Sequence, residues 1–339
     1  MSRTLRTAVV GVGRMGQHHA RIYGELPDAH LAAVVDRNQA RAEEIAGKFG
    51  CQALTDVADL IGRVDAVSIA VPTTSHREMA EPLLAAGVAV LIEKPLADTL
   101  ENARALVDAS KASGTLLQVG HTERFNPVVQ AVSRMGVAPK FVETHRISPF
   151  TFRSADVSVV LDMMIHDIDI VLHLVKSAPV QVDAVGVSVL SSQEDIANAR
   201  VRFASGAVAN LTVSRLALKT ERKIRLFSPD AYLSVDYQKK SGVAIKKDAN
   251  LDVLELARRR NAEDLSQLQV TDFINQVHVE ELKVDDAEPL KSELSAFLES
   301  VRTGRSLAVS AEEGLAAMEL AMAIVEAARQ HRWDGDPTA

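Results

Sequence analysis

The feature that most constrains this chain is a short apolar run at residues 5 to 10, followed by Gly11-Val12-Gly13-Arg14-Met15-Gly16 and a helical pattern through Tyr23. Glycine spacing alone is a weak signal, but in a strand-to-helix context G-x-G-x-x-G marks a turn that binds a dinucleotide. Gly11 permits the tight turn, Gly13 lets a pyrophosphate approach the backbone, and Gly16 lets the helix pack closely on the strand. Arg14 and Met15 lie in the same turn, where the helix amino terminus offers unpaired amides and a positive dipole end. Asp36 ends the next apolar run, Leu31 to Val35, and stands twenty residues beyond Gly16. A carboxylate there accepts hydrogen bonds from the ribose hydroxyls and repels a 2′-phosphate, so the expected cofactor is NAD rather than NADP. Arg37 tempers that preference, because a guanidinium can stack on adenine or bind a 2′-phosphate.

Alternation continues, with strands expected at 65 to 71, 88 to 92 and 115 to 119 and helices from about Gln39, Ser75 and Thr99. Ser75 with Glu78, and Asp98 with Glu101, have the spacing of capping boxes. The pattern predicts an α/β fold, a Rossmann doubly wound parallel sheet that binds ligands at the carboxyl ends of its strands. The residues just past those ends line the expected cofactor cleft: Ala70, Val71, Pro72 and Thr73 with His76 beyond them, Glu93 and Lys94 before Pro95, and Gln118. A lysine at the end of a buried strand, followed by proline, suits a solvated role poorly. The plainer alternative is a surface ion pair with Glu93.

From about residue 122 the pattern changes to a helix over 157 to 175 and strands at 180 to 190, 198 to 204, 207 to 215, 221 to 228 and 231 to 237. Ser205-Gly206 marks a hairpin, and consecutive alternating strands predict an α+β domain with a mainly antiparallel open sheet, one face under helix. The charged stretch 238 to 286 is expected to be an excursion from that sheet. Helices are expected at Pro289 to Val301 and Ser310 to Gln330, the second opening with a Ser310–Glu313 capping box and carrying a face of Ala316, Ala317, Leu320, Ala321, Ile324 and Ala328. The expected domains are 1–121, binding NAD; 122–306, for substrate and oligomerisation; and 307–339, a helix packing back on the first domain.

With 339 residues, two cores are affordable, and a net charge of −7 leaves no basic face for nucleic acid. One cysteine, Cys51, fits a reducing compartment, and neither a membrane span nor a signal-peptide core is apparent. A cytoplasmic protein is expected.

The chemistry points to Leu161-Asp162-Met163-Met164-Ile165-His166-Asp167-Ile168-Asp169. At about 100° per residue, Asp162, His166 and Asp169 share one sector of a helix that is otherwise apolar. Such a buried polar stripe faces a partner, a ligand or a cavity. Three readings fit: a catalytic histidine that titrates near neutral pH, a structural histidine satisfied by Asp162 or Asp169, and a metal site that adds His173. With no second helix offering a matching pair of ligands, no metal is expected.

Taken in order, the glycine fingerprint, Glu93-Lys94-Pro95 and Asp162 with His166 four residues later resemble the glucose-fructose oxidoreductase, inositol dehydrogenase and rhizopine-catabolism (Gfo/Idh/MocA) family of NAD(P)-dependent sugar oxidoreductases. That resemblance covers essentially the whole chain. It implies that Lys94, Asp162 and His166 are catalytic, and that the peptide before Pro95 is often cis. Residues 120–127 and 153–160 further resemble a branch that oxidises the 3-hydroxyl of UDP-N-acetylglucosamine, supplying an aminotransferase on a route to lipid A. His121, Glu123, Arg124, Asn126, His145, Arg146, Arg153 and Asp156 are expected around the nucleotide sugar with Asp162 and His166, because guanidinium groups suit a diphosphate. The alternatives are an inositol or free-sugar dehydrogenase and, in another class, a non-catalytic NAD-binding regulator. A homodimer or homotetramer through the open sheet is expected.

Overall fold

The computed structural model describes residues 3–151, 156–247 and 277–332, so Arg153 lies outside the described residues. The chain divides into two compact units, Met1–Phe125 with Ala287–Met322, and Asn126–Asp286 with Ala323–Ala339.

In the first unit, β1 (Leu5–Val10), β2 (Ala29–Val35), β3 (Gln52–Leu54), β4 (Ala66–Ile69), β5 (Ala89–Glu93) and β6 (Leu117–Gly120) form a six-stranded sheet in the order β3-β2-β1-β4-β5-β6. Every neighbouring pair is parallel. This is the doubly wound order that places a binding crevice where the strand order reverses, beside β1 and β4. Helices α1 (Gly16–Glu25), α2 (Gln39–Phe49), α3 (His76–Ala85) and α4 (Leu100–Ser113) connect the strands. Capping differs from expectation at two starts. Thr99, not Asp98, accepts the Asn102 N–H and caps α4, while Ser75 makes no side-chain cap.

Helix α7 (Pro289–Thr303) belongs to this unit, although the sequence boundaries placed it in the second. Its stripe of Leu290, Leu294, Phe297 and Leu298 is buried in one cluster with Val9, Ile22, Tyr23 and Leu91. An apolar stripe shows that a helix packs but not on which sheet, so its address was not legible.

The second unit holds α5 (Pro127–Arg134), a π-helical turn at Val160–Met164, α6 (Ile165–Val175) and an eight-stranded sheet. Its strands are β7 (Phe141–Ile147), β8 (Pro179–Val187), β9 (Ile196–Phe203), β10 (Val208–Ser214), β11 (Glu221–Phe227), β12 (Ala231–Asp236), β13 (Ser241–Lys247) and β14 (Val277–Glu281). The order is β14-β13-β12-β11-β7-β10-β9-β8, with β7 and β10 parallel and the other pairs antiparallel. The stretch 238 to 286 is therefore not simply an excursion, since β13 and β14 extend the sheet; residues 248–276 lie outside the described residues. On β9, Ala197, Ala199, Val201 and Phe203 are buried and alternate with exposed residues, as one covered face requires. Helix α8 (Ala311–Gln330) opens with the reciprocal Ser310–Glu313 capping box, at 2.9 and 3.2 Å. A Cβ on its Gly314 would lie 2.3 Å from the Val119 side chain, so that glycine sets how closely α8 approaches β6. Of its small-residue face, Ala317, Leu320, Ala321, Ile324 and Ala328 are buried, but Ala316 is exposed.

Candidate active site

The fingerprint turn has the geometry that its glycines require. Gly11 has φ +82°, and a Cβ there would meet Val71 Cγ1 at 2.7 Å and the Ala70 carbonyl oxygen at 2.8 Å. At Gly16 a Cβ would sit 1.8 Å from the Gly11 carbonyl oxygen, so any side chain would prise the helix from the turn. Gly13 is different: it is exposed, and a Cβ would meet nothing within 4 Å. Helix α1 starts beside it with no side-chain cap and no acidic residue in its first turn; the Gln17 and His18 N–H groups donate to the Gly13 and Met15 carbonyls, so an anion would meet the amides of the turn that precedes them.

Asp36 follows the end of β2. Its carboxylate accepts the Val12 N–H at 3.0 Å and the Asn38 N–H at 2.9 Å, one on each oxygen. Each oxygen keeps acceptor capacity for a ribose diol. Arg41 was missed by the sequence; it donates to the Val12 carbonyl at 2.9 Å and props the turn from α2. Arg14 and Arg37 are exposed, and Met15 is half-buried. An open Gly13, an uncapped helix and a doubly anchored acid together fit a dinucleotide.

The strand ends assemble as expected in part. Ala70 and Val71 abut Gly11, and Pro72 is exposed while Thr73 is half-buried. His76 is 1 % exposed, with Nδ1 3.1 Å from the Pro95 carbonyl and Nε2 3.2 Å from that of Val71. It ties the segments after β4 and β5 together. Burial pushes its pKa below the ordinary value, only partly offset by the surrounding carbonyls and Glu93. The Lys94–Pro95 peptide is cis, and Lys94 is half-buried. Glu93 meets His19, a fully buried residue on α1, at 2.8 Å. Gln118 is fully buried opposite Leu91, inside the strand pairing, with neither amide atom hydrogen-bonded among the described residues.

Two of the expected substrate residues, Arg124 and Asn126, make contacts within the protein. Arg124 is 4 % exposed and donates to Glu313 at 3.0 Å and to the Ala308 carbonyl, so it holds the start of α8. Asn126 is the cap of α5, accepting the Val128 N–H at 3.2 Å. His121 is buried, whereas Glu123 is half-buried.

In the second unit, Asp162 and His166 are both half-buried, while Asp167 and Asp169 are about 1 % exposed. The expected uniform α-helical stripe is broken, because Asp162 lies in the π-turn and His166 in the first turn of α6. Asp167 is a structural carboxylate: Arg146 donates to it twice, at 2.8 and 2.9 Å, with both side chains buried. Arg146 thus pins α6 to β7. Strand alternation sends the neighbouring His145 to the opposite, open face, 3.7 Å from Glu143 and away from α6. Asp156 is exposed. His173, the fourth member of the metal alternative, meets Ser133 of α5 at 3.4 Å, and no group of His, Cys, Asp or Glu suited to a metal ion occurs among the described residues.

A family profile described as "Oxidoreductase family, NAD-binding Rossmann fold" matches residues 5–121, and one described as "Oxidoreductase family, C-terminal alpha/beta domain" matches 153–334. UDP-N-acetylglucosamine 3-dehydrogenase of Acidithiobacillus ferrooxidans is 37% identical over 283 residues, covering 80% of this chain and 88% of that protein. Its solved structure superposes with a TM-score of 0.84 and 32% identity, covering 96% of this chain and 98% of that one. An inositol 2-dehydrogenase of Rhizobium meliloti is 28% identical over 345 residues, with 97% and 98% covered.

Proposed function

The chain belongs to the Gfo/Idh/MocA oxidoreductase family, with the family's NAD-binding Rossmann domain at its amino end, and on that premise we propose that it oxidises the 3-hydroxyl of UDP-N-acetylglucosamine to the 3-keto sugar. The observation that carries this reading is the 37% identity to the Acidithiobacillus enzyme across 80% of the chain. Lys94, Asp162 and His166 supply the side chains that the reaction needs.

Oxidation of a secondary alcohol removes a hydride from carbon and a proton from oxygen. NAD held by the Gly11–Gly16 turn and Asp36 would supply the hydride acceptor. His166 accepts the hydroxyl proton, since imidazole exchanges protons near neutral pH. Lys94 donates a hydrogen bond to the reacting oxygen and stabilises its developing negative charge. Asp162, four residues before His166, orients the imidazole. Asp36 selects NAD over NADP by meeting the ribose hydroxyls.

The product is a ketone, which a downstream aminotransferase would convert to an amino sugar of the kind used in lipid A. Assembly as a homodimer or homotetramer is proposed through the open face of the second sheet. There Asp183, Arg200, Asn210, Glu143 and Arg225 form one cross-strand row, with Arg200–Asn210 at 2.9 Å and Arg225–Glu143 at 2.8 Å. Phe141, Phe227 and Tyr232 stack beside it, their centroids 5.6 and 4.9 Å apart. The single cysteine supports a cytoplasmic setting; no described helix is long and apolar enough to cross a membrane.

The test incubates purified protein with NAD or NADP and UDP-N-acetylglucosamine, other UDP-sugars, myo-inositol or free sugars, with a ketone trap to draw the equilibrium. Reduction of NAD by UDP-N-acetylglucosamine is expected. Ready reduction by myo-inositol and none by UDP-N-acetylglucosamine would overturn the reading in favour of the inositol alternative.

A further inference from the structure

The strongest polar construction outside the family motifs lies where the chain enters the Asp162 turn. Asp195 is fully buried, and its Oδ2 accepts three successive backbone N–H groups, from Val189, Leu190 and Ser191, at 2.7, 2.6 and 3.1 Å. Its Oδ1 takes the Ser191 hydroxyl at 2.6 Å and the Arg215 Nε–H at 2.9 Å. Burial alone would raise this carboxyl's pKa, yet the hydrogen bonds to the hydroxyl and the backbone hold it well below the usual carboxylate range.

Arg215, 4 % exposed at the end of β10, carries the construction onward. One guanidinium nitrogen donates to the Val157 carbonyl at 3.0 Å and to the Glu194 carbonyl at 2.9 Å. Glu194 in turn accepts the Val159 N–H at 3.3 Å, and Ser158 accepts the Asp162 N–H at 3.0 Å on its carbonyl and the Val160 N–H at 3.2 Å on its hydroxyl. Hydrogen bonds from a buried carboxylate thus reach Val157 and, through Glu194, Val159, and the backbone of Ser158 between them accepts the amide of Asp162. They end at a π-helical turn, a local departure from α-helix that recurs at functional sites and persists only when its surroundings hold it.

We propose that Arg215 and Asp195 are positioning residues, whose buried ion pair fixes the backbone of Val157–Val160 and so sets the register of Asp162 relative to His166. The proposal rests on the reading of Asp162 and His166 as catalytic. Neither Arg215 nor Asp195 needs to touch substrate. Lysine at 215 would keep the charge but lose the planar fork that reaches Asp195, Val157 and Glu194 together.

The test compares the full-length wild type, Arg215→Lys and the milder Ser191→Ala, which removes a hydroxyl shared by Asp195 and Arg215 at 2.6 and 3.1 Å. Amide hydrogen exchange needs no substrate: in R215K, exchange at Val159 and Asp162 should quicken by about tenfold or more while β8, β9 and β10 keep their protection. In turnover of UDP-N-acetylglucosamine, kcat should fall about tenfold or more while KM and the Kd for NAD stay within about threefold, and S191A should move both readouts the same way by less. Wild-type kcat in folded R215K, or exchange that quickens uniformly across the sheet, would overturn the proposal. If R215K does not fold, S191A decides, and unchanged exchange at Asp162 in it would overturn the proposal. Failure of the underlying reading looks different: His166→Ala would then retain turnover while the R215K exchange pattern persisted.

Discussion

The fingerprint turn at Gly11–Gly16 and the π-turn at Val160–Met164 both bend the backbone into a helix that faces chemistry, but they are held in opposite ways. The first is held by what its own residues lack, since a Cβ at Gly16 would lie 1.8 Å from the Gly11 carbonyl oxygen. The second is held by what distant residues bring. Arg215 reaches back 58 positions to Val157, and Arg146 reaches 21 positions to Asp167. A steric requirement is written in the residue that satisfies it, whereas a buried ion pair is written in two places that only folding brings together.

That contrast can be broken by mutation, most strongly at the chemistry. His166→Ala should lower turnover by about 10²- to 10⁴-fold while leaving the Kd for NAD nearly unchanged, by kinetics and titration calorimetry; equal losses in both would join the two regions into one. Arg146→Met should cost about 3–5 kcal/mol in denaturant unfolding, because Asp167 is left as an uncompensated buried charge, and adding Asp167→Leu should recover most of it. Recovery failing would mean that the pair is not the pin.

On the cofactor side, Gly13→Ala should weaken NAD by about tenfold, roughly the 1.4 kcal/mol of a lost close approach, with an unchanged melting temperature without cofactor. Gly16→Ala should instead lower that melting temperature. Asp36→Asn, which keeps an acceptor but removes the charge, should shift the NAD to NADP preference by a similar or smaller factor, read from paired kcat/KM values.

The smallest effect is in pH. His76 is held below its ordinary 6.5, so as pH falls through that value the unfolded chain takes up a proton that the folded chain resists. Stability should be complete above it and decline below it. Urea unfolding on either side of that pH should show a slope that His76→Gln reduces.

Much of the cofactor half was legible because each signal is local. The strand runs, the three glycines and Asp36 lie within one continuous stretch, and hydrophobic period and glycine placement report directly on backbone geometry. Strand β3 escaped notice because Gln52–Leu54 is only three residues long. In the other half, Asp162 and His166 were visible as residue types at a spacing. Arg124, Asn126 and Arg146 have the chemistry of diphosphate ligands, and the fold also uses them to cap and pin helices. No pattern in the sequence separates a guanidinium for a ligand from one for a buried carboxylate. The signal that could have found Arg215 and Asp195, a charge within an otherwise apolar strand context, is equally that of an exposed edge.

By itself the sequence determined the strand-turn-helix order and the parallel first sheet, because steric and periodic rules act between neighbours. Tertiary structure alone decided that α7 packs with the first sheet, that β13 and β14 extend the second, that His19 meets Glu93, and that Asp162 sits in a π-turn. Those outcomes depend on which buried charges and apolar stripes meet across tens of residues, and a partner is chosen by the burial it permits, which exists only in the folded chain.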